Sequence, residues 1–400
     1  QQRQQAQLWR RARAWQQQAG QILCGADDQI LVNFAGNDYL GLAQHPAVKD
    51  AMAKAALRFG AGSGASRLVS GSHPEHIALE QAIARWLGRE DALFFASGFQ
   101  LNSCLLSAFL KRGDRVVCDR LNHASLVDSA RLCEAEVRRY RHADVDSAQQ
   151  QLADATHDDS DAAVVIATDG VFSMDGDVAP VRSLQAMAQH HGALLVVDDA
   201  HGLGVLGDSG LGVFEHQRIP VAADTLLIGT CGKALGTSGA FVAGDGVWIE
   251  QLRQHARGWI YSTAPPPALA VATRTALDII QQEPQRRMAL HDNISWFRRL
   301  LAAQHLPDSG STSAIQPVIV GENEKALALS HALEQQGFWV VAMREPTVPR
   351  GTARLRITLA ADHEPAYIEA LVQALAEAWQ QLGLAADGAS DSSSSSLETS

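Results

Sequence analysis

The sequence predicts an α/β fold in which a large, mostly parallel sheet is flanked by helices on both faces and is followed by a smaller α+β unit. Short apolar, β-branched runs recur along the chain and alternate with helix-like stretches, at residues 115–119, 163–169, 193–199 and 225–230. After about residue 280 the pattern changes to a long helix and then strands around a second helix. Alternation of the first kind is typical of a parallel sheet that helices cover on both sides.

An earlier strand precedes these four. Residues 92–110 contain no charge and are about as long as a membrane span. Polar residues such as Gln100 and Asn102 interrupt this run and would be costly in hydrocarbon. The run is therefore interpreted as a buried strand at 92–95, a Ser-Gly turn and a helix that ends at Gly113.

The C-terminal part has its own elements. The sequence predicts a helix over 286–303, strands at QPVIV, FWVVAM and RLRIT, and a helix near 325–336. The opening QQRQQAQLWRRARAWQQQAG is polar and predicted to be helical. The predicted division is an N-terminal helical or extended segment (1–45), a large domain (46–280), a small domain (281–384) and a disordered tail or cloning remnant (385–400).

Composition excludes several functional classes. The chain has 400 residues, a net charge of -11 and no basic block, which argues against nucleic acid or a membrane as a partner. Its five cysteines are widely spaced and form no CxxC pair, so neither a metal site nor a disulfide framework is expected. A cytoplasmic location fits this cysteine usage.

Polar residues follow the predicted strands, where an open α/β sheet places its ligand. These segments include residues 97–99, DRLNH (119–123), DGVFS (169–173), DDAH (198–201) and TCGK (230–233). A serine-glycine turn, two histidines, an aspartate and a lysine would therefore meet in one crevice.

Two glycine-containing stretches resemble known phosphate-binding motifs. GTCGK does not satisfy the P-loop pattern, because Leu227 replaces its first glycine and Ala234 its final serine or threonine. GLGVLG at 202–207 matches a dinucleotide fingerprint, which leaves an NAD-dependent dehydrogenase as a distant alternative. More glycine follows it instead of an apolar helix, so it is interpreted as a flexible loop beside the site.

Lys233 is the one cationic residue in a run of small residues, GTCGKALGTSG. A lysine in a confined pocket can attack a carbonyl as a neutral amine. Pyridoxal phosphate would also need an acidic partner for its ring nitrogen, donors for its phosphate and a group against its ring. Asp198, residues 97–99 with Thr230, and His123 could supply these.

At these motifs the chain resembles the α-oxoamine synthases, a family of pyridoxal-phosphate enzymes. The resemblance implies the aspartate-aminotransferase fold, with a seven-stranded, mostly parallel sheet. The motifs that carry it are NDYLGL (37–42), GAGSGASRLVSG (60–71), SGFQLN (97–102), NHAS (122–125), DGVFSMDGDVAP (169–180), DDAH (198–201), TCGKALGTSG (230–239), IYSTAPPP (260–267) and GTARLRIT (351–358).

The resemblance also implies roles for single residues. Lys233 would bind the cofactor and move the substrate Cα proton, Asp198 would pair with the ring nitrogen, His123 would stack on the ring and His201 would bond its phenolic oxygen. Phosphate contacts would come from Ser97, Gly98, Phe99 and Thr230, with Thr263 reaching the site of a partner subunit in a homodimer with shared active sites. Ser173 would contact the ring region, Asn37 and Arg356 the amino-acid carboxylate, and Arg11 the acyl carboxylate. Arg354 would point to the same side as Arg356, and the family pattern favours Arg356.

Within the family, SRLVSG and MDGDVAP most resemble the member of the biotin pathway. This implies condensation of L-alanine with pimeloyl-CoA or pimeloyl-acyl carrier protein, giving 8-amino-7-oxononanoate, carbon dioxide and the free thiol. A glycine-using member of the same family is the main alternative. A non-catalytic partner subunit would be expected to lack Lys233.

Overall fold

The computed structural model describes residues 12–25, 28–157 and 162–384. Arg11 and the tail at 385–400 lie outside the described residues. The strands, in chain order, are β1 (Trp15–Gln18), β2 (Ile22–Gly25), β3 (Ile30–Asn33), β4 (Asp91–Phe95), β5 (Arg115–Asp119), β6 (Glu136–Tyr140), β7 (Val164–Asp169), β8 (Leu194–Asp198), β9 (Thr225–Thr230), β10 (Ala240–Gly244), β11 (Ile315–Gly321), β12 (Phe338–Trp339), β13 (Val341–Met343) and β14 (Ala353–Thr358).

Helices surround these strands. In chain order they are α1 (Pro46–Phe59), α2 (Pro74–Leu87), α3 (Gly98–Phe109), α4 (Ala124–Leu132), α5 (Val145–His157), α6 (Val181–His191), α7 (Val213–His216), α8 (Gly246–His255), α9 (Arg257–Ile260), α10 (Pro267–Gln282), α11 (Pro284–Ala303), α12 (Asn323–Gln335) and α13 (Pro365–Gln381). Among the described residues, none of the helices combines the length and apolar character needed to cross a membrane.

The central sheet has seven strands in the order β4-β10-β9-β8-β7-β5-β6. Six of them run in one direction, and β10 runs antiparallel to both of its neighbours. The predicted fold class, a mostly parallel seven-stranded sheet flanked by helices, is confirmed. The four sequence runs at 115–119, 163–169, 193–199 and 225–230 are the strands β5, β7, β8 and β9.

The central strands are buried on both faces. Successive residues belong to different packing clusters: Ile166 and Leu195 face one cluster, whereas Val165 and Val196 face the other. This explains why these strands read as continuous apolar runs, because alternate residues enter two separate cores. The polar side chains are displaced to the strand ends.

Smaller sheets lie outside this central sheet. β11, β14 and β13 form a three-stranded antiparallel sheet, and β1, β2, β3 and β12 form a four-stranded one. The single strand expected for FWVVAM is wrong, because Phe338 and Trp339 pair with β3 whereas 341–343 pair with β14. The domain boundaries predicted from the sequence stay a prediction.

Two further sequence expectations differ from the structure. Residues 15–18 form strand β1 rather than part of a helix, because they pair with 22–25 across a tight turn. The helix that was expected to end at Gly113 ends at Phe109, since Leu110 adopts an extended backbone and Gly113 lies in the turn before β5.

Candidate active site

A cavity of about 200 Å³ lies at the carboxyl ends of the central parallel strands. Its lining includes eight of the residues singled out in the sequence: Gly98, Phe99, His123, Ser173, Asp198, His201, Thr230 and Lys233. Sequence-distant residues therefore meet in one crevice, because parallel strands end at the same edge of a sheet. A larger cavity of about 1210 Å³ is lined by none of these residues.

Lys233 lies in the loop after β9. Hydrogen bonds close this loop, from the Cys231 amide to the Gly239 carbonyl and from the Gly236 amide to the Lys233 carbonyl, both at 2.8 Å. Desolvation lowers the pKa of Lys233 to about 8, although the carboxylates of Asp198 and Asp169 act in the opposite direction. Its amine is therefore deprotonated more readily than that of a surface lysine.

Gly236 lets the loop that carries Lys233 pack closely against the chain next to the NDYLGL motif. It has a φ of 63°, and a Cβ at this position would lie 2.3 Å from the backbone nitrogen of Ala43. Any side chain would therefore collide with the segment that follows NDYLGL. The close approach holds the lysine loop against the segment that carries Asn37.

Asp198 ends strand β8 and faces the cavity. Its Oδ2 atom accepts a hydrogen bond from Asn102 Nδ2 at 2.7 Å, and its Oδ1 atom accepts one from the Ala200 amide at 3.2 Å. The next residue, Asp199, is fully buried and accepts from the Val213 amide at 2.7 Å instead. The two adjacent carboxylates therefore face different surroundings: Asp198 faces the cavity, and Asp199 binds a backbone amide in the protein interior.

His201 contacts Tyr39, a residue of the NDYLGL motif. The Tyr39 hydroxyl lies 2.7 Å from His201 Nδ1 and donates to Asn37 Oδ1 at 3.1 Å. Burial lowers the pKa of His201 well below its usual range, and the positive charges of Lys233 and Arg356 add to this effect. Tyr39 thus connects the cavity to the predicted carboxylate-binding residues.

Arg356 lies on β14 and contacts the cavity-lining residue Ser173, although neither Arg356 nor Asn37 lines the cavity itself. Its Nε atom donates to the Ser173 carbonyl at 2.6 Å, and its Nη2 atom donates to Asn37 Oδ1 at 3.3 Å. The neighbouring arginine of the same strand, Arg354, pairs with Asp175 instead. The structure therefore brings Asn37, Ser173 and Arg356 together.

The start of helix α3 forms another wall. The amides of Gly98 and Phe99 are the first of this helix and have no partner within it. A Cβ on Gly98 would lie 3.0 Å from Thr230 Cγ2, so glycine leaves room there. Thr230 Oγ1 is buried and has no hydrogen-bond partner among the residues that the structure describes.

Two further predicted residues, Ser97 and Thr263, do not line the cavity. The Ser97 hydroxyl caps helix α3 by accepting from the Gln100 amide at 3.1 Å, and Ser97 does not line the cavity. Thr263 is exposed, pairs with Ser66 through the backbone and lines a separate small cleft. Arg11 lies outside the described residues.

The GLGVLG segment is not the flexible loop that was expected. Residues 202–206 are buried, and Leu203 pairs through the backbone with Leu211. The next helix is the single turn α7, so no long helix begins at these glycines as a dinucleotide site requires. The segment is a packed turn beneath the site.

Three polar residues of the cavity, Asn102, Ser125 and Asp169, lie in motifs quoted from the sequence, but no role in the site was predicted for them. Asn102 lies one turn of helix after Gly98 on the same face, and this i, i+4 spacing could have found it. Asp169 Oδ2 accepts from the His123 amide at 3.0 Å. Burial and the neighbouring charge of Asp198 raise the pKa of Asp169 well above its usual range.

Comparison with known proteins agrees with this geometry. Residues 29–375 match the family model described as aminotransferase class I and II. The 8-amino-7-oxononanoate synthase of Alkalilimnicola ehrlichii is 51% identical over 88% of this chain and 90% of its own length. That of Methylococcus capsulatus is 47% identical over 93% of this chain and 95% of its own length.

Solved structures show the same relationship. A serine palmitoyltransferase from S. paucimobilis, solved with a bound PLP-myriocin aldimine, superposes with a TM-score of 0.88 at 28% identity and covers 93% of each chain. The 8-amino-7-oxononanoate synthase of Francisella tularensis gives a TM-score of 0.75 at 27% identity, over 88% of this chain and 99% of that one. The chain therefore belongs to the aminotransferase class I and II family, in its α-oxoamine synthase branch.

Proposed function

We propose that this chain is a pyridoxal-phosphate-dependent C-acyltransferase that condenses L-alanine with a pimeloyl thioester. The products are 8-amino-7-oxononanoate, carbon dioxide and the free thiol, which places the reaction in biotin biosynthesis. The observation that carries the proposal is the meeting of Lys233 with Asp198, His123 and His201 in one cavity. Its substrates follow from the 8-amino-7-oxononanoate synthases to which the chain is similar.

The cavity fits pyridoxal phosphate at both of its ends. The unpartnered Thr230 hydroxyl and the first amides of α3 are donors for a phosphate, and a helix N-terminus favours an anion. At the other end Asp198 supplies a carboxylate for the ring nitrogen, and Lys233 supplies the amine for a carbonyl carbon. When bound, the cofactor withdraws the electron pair that is left at Cα of the amino acid.

Lys233 acts as the amine that binds the cofactor and as the base at Cα. With a pKa of about 8, roughly a tenth of its amine is neutral at pH 7, far more than for an ordinary lysine. Desolvation therefore prepares both roles, since attack on a carbonyl and removal of a proton each need the neutral amine.

Arg356 and Asn37 hold the carboxylate of the amino acid. The guanidinium group is anchored through Nε to the Ser173 carbonyl and through Nη2 to Asn37 Oδ1, and a guanidinium fork is geometrically suited to a carboxylate. Asn37 is aligned by the Tyr39 hydroxyl. His201 faces the phenolic oxygen of the cofactor. The Tyr39 hydroxyl, 2.7 Å from His201 Nδ1, orients the imidazole ring.

A homodimer with shared active sites completes the proposal. Thr263 is exposed and does not line the cavity of its own chain, as expected of a residue that serves the partner's phosphate. Ser97 supports the phosphate by capping α3, and Arg11 contacts the acyl carboxylate. The thioester is carried by coenzyme A or an acyl carrier protein. The five free thiols fit a cytoplasmic location.

The test is a visible absorption titration of the purified protein with pyridoxal phosphate, then L-alanine, then glycine. We expect a cofactor band that responds to alanine at lower concentration than to glycine, and alanine-dependent release of carbon dioxide once pimeloyl-CoA is added. Lys233→Ala should abolish the band and turnover, whereas Lys54→Ala, on an exposed face of α1, should change neither. A normal band and normal turnover in Lys233→Ala would refute the assignment.

A further inference from the structure

Buried hydrogen bonds connect His123 to Asp198 through two residues without an assigned role. Asn102 Nδ2 lies 2.7 Å from Asp198 Oδ2 and 2.9 Å from Ser125 Oγ. Ser125 Oγ in turn lies 2.7 Å from His123 Nδ1. Asn102 and Ser125 are each 1% exposed, so water does not compete for these bonds.

The direction of the last bond follows from the backbone. The Ser125 amide points at His123 Nδ1 from 3.3 Å, within the first turn of α4. A backbone N–H can only donate, so Nδ1 accepts and carries a lone pair. In an imidazole with a bare Nδ1, the proton is on Nε2.

The hydrogen bonds of the Asn102 side-chain amide also indicate that His123 Nδ1 is an acceptor. A carboxylate only accepts, so the amide presents its NH₂ group to Asp198, and its second hydrogen goes to Ser125. Asn102 Oδ1 has no hydrogen-bond partner among the residues that the structure describes. The orientation of the amide is therefore set by the two bonds that its NH₂ group donates. The Ser125 oxygen already accepts from Asn102, and its own proton is therefore free to be donated to His123 Nδ1.

We propose that Asn102 and Ser125 are positioning residues that hold His123 as the neutral tautomer with its proton on Nε2. The inference rests on the proposed function, in which His123 faces the cofactor ring. In the part of the chain that the structure describes, no protein acceptor bonds Nε2. The Nε2 proton is therefore offered to a ligand oxygen in the cavity.

Electrostatics at the cavity agree with a neutral ring. Burial lowers the pKa of His123 below its usual value, the carboxylate of Asp198 opposes this, and Lys233 adds to it. A cationic His123 would also place a hydrogen on Nδ1, opposite two donors. The neutral tautomer avoids this clash and presents an apolar ring face with a donor at one edge.

The tautomer is measured directly by long-range ¹H–¹⁵N correlation spectra of histidine-labelled protein, with and without pyridoxal phosphate. His123→Gln assigns the signal. In the native chain we expect an unprotonated Nδ1 and a protonated Nε2. Ser125→Ala should increase the fraction of His123 protonated on Nδ1 about fivefold, because one hydroxyl bond is worth about 1 kcal/mol. Asn102→Ala should shift it in the same direction.

Ser107→Ala is the matched control, since it removes an exposed hydroxyl of α3 that bonds only its own helix. The proposal is overturned if Nδ1 carries the proton in the native chain, or if Ser125→Ala matches the native spectrum. Should Ser125→Ala fail to fold, the native spectrum decides alone. An unprotonated Nδ1 in a protein that binds no pyridoxal phosphate would refute the proposed function, whereas a protonated Nδ1 in a protein that binds the cofactor would overturn this inference alone.

Discussion

His142 bridges two carboxylates beside the active site, and replacing it tests how much this ionic contact stabilises the fold. Its Nδ1 atom lies 3.1 Å from Asp119 Oδ1, and its Nε2 atom lies 2.9 Å from Asp177 Oδ2. Asp177 belongs to the turn that also carries Ser173, and the Phe172 ring packs edge-on against the imidazole. The histidine therefore fixes this turn to the end of strand β5.

The energy of this ionic contact follows from the pKa of His142. Burial would lower that pKa, but hydrogen bonds and attraction to Asp119 and Asp177 outweigh it and raise the value from 6.5 to about 10. The His142 side chain is 20% exposed and that of Asp119 is 1% exposed, so solvent screening of this pair is limited. By linkage, a shift of this size corresponds to about 4 kcal/mol of folding free energy at pH 7.

The sign of the pH dependence is set by the raised value. The contribution is fully present below pH 6.5, and it disappears as pH rises through 10, where the folded protein loses the proton. At pH 9 about 1.5 kcal/mol should remain. The difference between the native chain and His142→Gln should therefore shrink by about 2.5 kcal/mol between pH 7 and pH 9.

Urea unfolding at the two pH values measures this difference. His190→Gln is the control, because His190 is an exposed histidine of α6. The apparent KM for alanine should also rise in His142→Gln, since Ser173 anchors Arg356 through its carbonyl. A native-minus-variant difference that is the same at pH 7 and pH 9 would refute the ionic contact.

Other substitutions test separate contacts. Glu80→Gln should destabilise the fold by about 3 to 5 kcal/mol in urea unfolding, because the buried Arg67 guanidinium, 2.9 Å from Glu80 Oε2, loses its counter-charge; a loss below about 1 kcal/mol would contradict this. Arg356→Lys should raise the KM for alanine roughly tenfold or more, since a lysine cannot provide the guanidinium fork; an unchanged KM would exclude carboxylate binding there. Gly236→Ala should cost about 2 kcal/mol or more and weaken cofactor binding, because its methyl group meets Ala43; native cofactor affinity in equilibrium titrations would contradict it.

The sequence by itself predicted the central strands and the residues that follow them. β5, β7, β8 and β9 are buried on both faces, so they appear as uninterrupted apolar runs, and the polar residue after each run marks its carboxyl end. Asp198, His201 and Lys233 were found in this way, because parallel strands bring their ends together whatever lies between them. The family motifs added Asn37 and Arg356.

Only the tertiary structure decided which atoms meet. No local pattern indicates that Phe338 and Trp339 join one sheet while 341–343 join another, because both pieces are short and apolar and their partners lie far away in the chain. Residues 16–18 are three glutamines, and residues 15–18 become a strand only through pairing with 22–25. Tertiary pairing overrides local propensity in both cases.

The connections within the site were equally hidden from the sequence. Tyr39 reaches His201 across 162 positions, and Asn102 reaches Asp198 across 96. Such contacts depend on distances between elements, which no sequence periodicity encodes. In the sequence, Tyr39 and Asn102 are visible only as residue types that occur in many roles. The sequence therefore determined the fold class and most of the residues at the strand ends. Three-dimensional packing determined their hydrogen-bond partners, because those partners come from elements that adjoin only in the folded chain.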